Sequence, residues 1–189
     1  AMLTSTGHAA SHPGVELTAG ATDILSTTIT LAATEIPAGH LALLWVMTTE
    51  GKVGPPVAIG PSRTWTMVRT GTPGKRRMTL FKSISPYTTN SSVTLQAPEA
   101  TGWLYTMIEY SATRVVQSAY RDWSRQGALI NHTVTLPSSS GTGATVATFG
   151  VESRALPITP GNGFSFVGSR PCITEICVQS ESKATFDSV

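Results

Sequence analysis

Seven apolar residues stand in an unbroken row from Leu41 to Met47. The row has the length of a strand, and no window of the chain reaches the roughly 18 apolar residues that a membrane-spanning helix needs. A strand sends successive side chains to opposite faces. One that is covered on a single face therefore alternates apolar with polar residues. Leu41–Met47 does not alternate, which predicts a strand buried on both faces. Pro37-Ala38-Gly39 supplies the turn before it.

The segments around this row do alternate. In 27–33, Ile29 and Leu31 stand against Thr28 and Thr30. Trp65, Met67 and Arg69 oppose Thr66, Val68 and Thr70, and Met78 and Leu80 share one face of 77–83. Val93 and Leu95 mark a further strand. In 103–110, Trp103, Tyr105 and Met107 take one face, and Leu104, Thr106 and Ile108 the other. Later strand signals fall at 133–136, 145–151, 164–168, 173–179 and 184–187. Gly, Pro, Asn and Ser clusters separate them, including Gly71-Thr72-Pro73-Gly74-Lys75 at a hairpin-type turn. Short strands at such spacing predict an all-β antiparallel sandwich or barrel. The segment 118–129 is the one helix candidate, and without a clean apolar stripe it reads as a loop. Residues 1–20 show no periodicity and read as an extended N-terminal arm. Residues 21–189 then form a single sandwich domain of about ten short strands.

Composition explains what fills the outer faces. The chain has 29 Thr and 20 Ser among 189 residues, whereas charged residues are only 13%, against about 25% in an ordinary soluble protein. Thr favours strands because its branched Cβ is stiff at χ1. These figures exclude a coiled coil, a charged disordered tail and a typical helix-rich enzyme. The net charge of +2 is too small to argue for a polyanion, so nucleic acid is not the expected partner.

The motifs of common chemistries are missing. No Gly-x-Ser-x-Gly, Gly-Lys-Ser/Thr or His-Glu-x-x-His occurs. The reading is therefore a non-enzyme with no catalytic residue, metal or cofactor. Within one strand, Cys172 and Cys177 would lie on opposite faces and could not bridge without a bulge or turn between them. They read as small core or interface residues in a reducing compartment. Lys75, Arg76 and Arg77 form the densest basic cluster, at a hairpin tip. It reads first as a solvated turn that guards an edge, and second as a partner contact. Tyr120, Arg121, Trp123 and Arg125, with Arg114, read first as a long loop folded back over the sandwich end with Trp123 as its plug, and second as the aromatic–arginine mixture that protein interfaces and sugar sites use. Trp45, Trp65, Trp103 and Tyr110 are the expected core aromatics.

Three stretches in order, Pro37–Val46, Pro61–Arg69 and Ile108–Ala112, resemble a family of β-sandwich virion proteins from tailed bacteriophages. The first is similar to that family's strand of a small residue, Gly, a polar residue and an apolar run. The second resembles its Pro-x-Gly-Trp-Thr-x-Val segment, and the third an apolar strand ending in Tyr-Ser-Gly. Arg63-Thr64 and Ala112 stand where the family tends to have Gly. The resemblance implies a jelly-roll-like sandwich in a virion assembled in the bacterial cytoplasm, with no catalytic residues. The expected role is a capsid decoration (cement) protein. Its partners would be the major capsid protein or other virion subunits, and it would be a homo-oligomer, with a trimer as one closed arrangement. The arm would bind an adjacent subunit and order on assembly. The alternative is a tail or fibre module that binds host glycans through Tyr120 and Trp123. The shortage of charge fits a surface covered by neighbours.

Overall fold

The computed structural model describes residues 2–7, 14–50, 54–72, 76–111, 114–120, 143–151, 159–173 and 176–183. Among them there is no helix. Twelve strands form two antiparallel sheets. The first sheet runs β10 (Ser165–Val167), β12 (Ile176–Lys183), β9 (Gly143–Val151), β1 (Met2–Gly7), β8 (Arg114–Tyr120), with β11 (Cys172–Ile173) paired to β12. The second runs β2 (Val15–Ile36), β7 (Thr89–Tyr110), β3 (Leu41–Thr48), β6 (Arg77–Ile84), β5 (Thr66–Gly71), with β4 (Val57–Ile59) paired to β7.

All eight residues of β3 are buried, and the cause is a core on each face. Leu41, Leu43, Trp45 and Met47 join Met78, Leu80, Leu104, Ile108 and Tyr110 of their own sheet to Val146, Val167, Ile173, Ile176 and Val178 of the other. This layer makes the molecule a sandwich. Ala42, Leu44 and Val46 point the opposite way, towards Phe81, Trp103 and Met107. There they meet Leu31, Ile36, Val93, Leu95 and Ala97 from the far halves of β2 and β7. Each fully buried Leu or Phe in these layers contributes roughly 1.5–3 kcal/mol.

The second core exists because β2 and β7 are long. Each is one strand of 22 residues, where the sequence suggests short strands with breaks between them. They form one ribbon that bends without stopping. Thr22 pairs with Trp103, Ser26 with Thr101 and Thr28 with Gln96. Residues 23–25 therefore bulge from β2, and 97–100 from β7. Pro98, which has no N–H to give, falls in the unpaired stretch. Hydroxyl groups take up the freed backbone. The Ser26 hydroxyl donates to the Thr28 carbonyl (2.6 Å) and accepts from the Thr28 N–H (3.1 Å). The Thr49 N–H donates to the Gly102 carbonyl, and the Thr49 hydroxyl accepts from the Gly102 N–H. Trp103 Nε1 donates to the Ser26 carbonyl across the ribbon at 3.0 Å.

Two expectations need correction. The N-terminal segment supplies strands to both sheets instead of standing apart. Met2–Gly7 lies between β8 and β9, and Val15–Gly20 is the first part of β2. The ladders that place it are backbone hydrogen bonds, and residues 1–20 carry no period that would announce them. The cysteines are not free. Ile173 pairs with Ile176, so the chain reverses between them and Cys172 faces Cys177 across a hairpin. The two form a disulfide with a Cα–Cα separation of 4.1 Å. The turn that the spacing argument required is present, and the pair gives no ground for a reducing compartment.

Candidate functional site

The second core opens at one end, and polar side chains close it. Glu109 follows Met107 on the same face of β7, level with Ala42 and Ser83 across the sheet. It is buried and paired with His40 Nδ1 through Oε1. His40 sits there because the turn at 37–40 places it directly before β3. Gly39 allows that turn with φ +75°, a conformation that side chains with a Cβ resist. Its N–H donates to the Ser85 carbonyl at 2.8 Å.

Arg63 enters the same mouth from the segment before β5 and is only 5% exposed. Its Nε donates to Thr89 Oγ1 at 2.5 Å. Its Nη2 donates to the carbonyls of Ile36 (3.2 Å) and Pro37 (3.3 Å). Burial lowers the guanidinium pKa from its ordinary value, and the Glu109 charge works against that shift. The group has a task that Gly at this position could not perform: it ties the β2–β3 turn to the start of β7. This arrangement is a structural plug. The Arg63 Nε and Nη2 donors are spent on the Thr89 hydroxyl and two backbone carbonyls, and the Glu109 carboxylate on His40. Among the described residues, no group of three or more His, Cys, Asp or Glu side chains could hold a metal ion.

Two other carboxylates are also engaged internally. Buried Glu181 on β12 accepts from the Gly161 N–H at 3.0 Å. Burial pushes its pKa up, and that hydrogen bond offsets part of the rise. Glu16 on β2 accepts from the N–H and hydroxyl of Ser169 in the other sheet's β10–β11 connection.

The residues singled out from sequence are distributed as follows. Trp45, Trp103 and Tyr110 are fully buried, and Trp65 is half-buried against the second core. Burial raises the Tyr110 hydroxyl pKa well above the ordinary tyrosine range. Arg77 opens β6 half-buried, with Nη1 donating to Thr70 Oγ1 at 3.4 Å. Arg76 is half-buried too, and burial lowers its pKa against the pull of Glu50. These two arginines are therefore partly packed rather than standing free at a solvated tip. Tyr120 ends β8 opposite Met2. Lys75, Arg121, Trp123 and Arg125 lie outside the described residues.

Sequence reasoning missed the exposed apolar groups. Ile24 and Leu25 are 74% and 64% exposed in the β2 bulge. Val57 and Ile59 stand out on one face of β4. Within the sequence, Asp23-Ile24-Leu25 carries no mark that the ribbon turns there. Comparison with protein-family models, with curated proteins and with solved structures gives no match.

Proposed function

We propose that this chain is a structural subunit of a tailed-phage virion, a capsid decoration protein that stabilises the shell through contacts with its neighbours. One observation carries the reading. Two large apolar side chains, Ile24 and Leu25, stand side by side in water at the bend of the ribbon, 74% and 64% exposed. Apolar surface gathered in one place favours being covered by a partner. Binding at many such contacts stabilises the bound form by mass action. The sequence resemblance to virion sandwich proteins supports the same role, as does a surface of hydroxyls with little charge.

The test is to express the chain with the genes that flank its own and separate the particles on a density gradient. The expected result is co-sedimentation with particles at a fixed ratio to the main shell protein. Particles that lack the chain would overturn the reading.

A further inference from the structure

The first sheet has an unusual dependence on one short strand. Among the described residues, along the order β10-β12-β9-β1-β8, strand β8 is hydrogen-bonded to β1 alone, so β1 joins β8 to the rest. Over Met2–Gly7 it pairs with β8 on one side and β9 on the other. Those partners lie more than a hundred residues further along the chain. The bonds are between backbone groups, so the slot between β8 and β9 accepts β1 of any copy equally well.

We infer that β1 is exchanged between neighbouring copies, the slot of one subunit being filled by β1 of the next. Exchange breaks and remakes the same ladder, so no pairing is lost and the effective concentration of the two candidate strands decides the outcome. Reach permits it. Seven Cα–Cα steps separate Gly7 from Gly14, and an extended chain covers about 23–25 Å in that distance. The far end is fixed on its own subunit, because Gly14 lies against the ring of buried Tyr110, where an added Cβ would come within 2.3–2.5 Å of ring and hydroxyl atoms. A strand that can leave beside an anchor that cannot makes a link between copies. On a shell, where copies sit side by side, local concentration favours the exchanged form.

The inference rests on the reading of the chain as an assembly subunit, and the experiment separates the two. Thr4 stands opposite Val146 in the β1–β9 register, and Val146 is fully buried. Two full-length variants, Thr4→Cys and Val146→Cys, carry different tags, are co-expressed and are then oxidised. Exchange produces a covalent heterodimer bearing both tags, lost on reduction. A collision cannot mimic it, because position 146 is reachable only from within the sheet. The doubly substituted single chain, which closes its own bond, shows that the positions can bridge. Absence of the heterodimer overturns the exchange. So does unsubstituted protein that remains monomeric by light scattering at every concentration up to the millimolar range. Particles that carry the chain without exchange would leave the subunit reading standing; a heterodimer from a chain absent from particles would do the reverse.

Discussion

Glu16 grips Ser169 with both carboxylate oxygens, one taking the backbone N–H at 2.8 Å and the other the hydroxyl at 2.6 Å. The two residues belong to different sheets, so the contact fastens the start of β2 to the β10–β11 connection. Gly168 makes room for it. Its φ is +74°, and a Cβ there would come within 2.0 Å of Glu16 Oε2. Gly168→Ala is expected to lower stability by about 1–3 kcal/mol through backbone strain and the displaced carboxylate. Glu16→Ala should cost less, about 1 kcal/mol, since these hydrogen bonds are exposed. Urea unfolding of the three proteins checks the order; an unperturbed Gly168→Ala would show that the clamp is not held.

Arg63 is part of the packing at the mouth of the second core. Arg63→Met keeps the side chain's bulk and removes three donated hydrogen bonds. It leaves the Ile36 and Pro37 carbonyls short of a donor and Glu109 without the neighbouring positive charge. Loss of one partner in a buried polar cluster costs about 3–5 kcal/mol, more than the apolar replacement returns. Chemical denaturation is expected to show a loss in that range; a change below 1 kcal/mol would mean that solvent already serves these carbonyls.

Much of this packing could be read from the chain, and the division follows physical range. The lack of alternation in Leu41–Met47 reports a two-faced strand, because side-chain period is a local consequence of burial. The opposite faces of Trp103 and Leu104 were legible for the same reason, and they enter different cores. The continuity of β2 and β7 was not legible. Asp23 and Pro98 look like breakers, and only their placement opposite unpaired positions of the other strand turns a break into a bend. The cysteines misled because their separation of five was read along one strand, whereas a reversal between Ile173 and Ile176 sets them face to face. The role of Arg63 depends on carbonyls 26 and 27 residues away, which no local pattern encodes.

Glu181 gives the fold a dependence on pH. Its folded-state pKa is raised by burial, so the protonated form is the one the fold prefers. Its contribution is fully present below the ordinary value of 4.5 and is lost as pH rises through the raised value. Glu181→Gln keeps an acceptor for the Gly161 N–H and removes the charge. The variant should be more stable than the parent at neutral pH, by on the order of 1 kcal/mol, and equal to it in acid. Thermal melts across pH 3–8 test this, and a constant difference at all pH values would refute it.

The Cys172–Cys177 bond closes a short hairpin, so its effect through loop closure is modest. For a loop of this size the chain-entropy relation gives about 2 kcal/mol. Intact-mass measurement after alkylation without reductant should find no labelled cysteine. Reduction, or a Cys172→Ser, Cys177→Ser double substitution, should lower the melting temperature and leave both cores formed. Full labelling of the untreated protein would show the thiols to be free.

The exposed pair at the ribbon bend separates assembly from folding. Ile24 and Leu25 are mostly in water and contribute little to either core, so Ile24→Asp with Leu25→Asp should shift stability by no more than about 0.5 kcal/mol. The pair follows exposed Asp23 in the β2 bulge, and the β7 bulge of the same bend carries exposed Pro98, Glu99 and Ala100. Two added carboxylates beside Asp23 would therefore convert an apolar tip into an acidic one. If that tip is covered by a shell subunit, burying two unpaired charges makes attachment unfavourable, and occupancy on gradient-purified particles should fall at least tenfold. The paired control is Thr28→Asp with Thr30→Asp, on the exposed hydroxyl face of the same strand beyond the bend. It adds the same charge and should leave occupancy near that of the parent. Equal loss in both variants would assign the effect to net charge, and no loss in either would remove the ribbon bend from the contact.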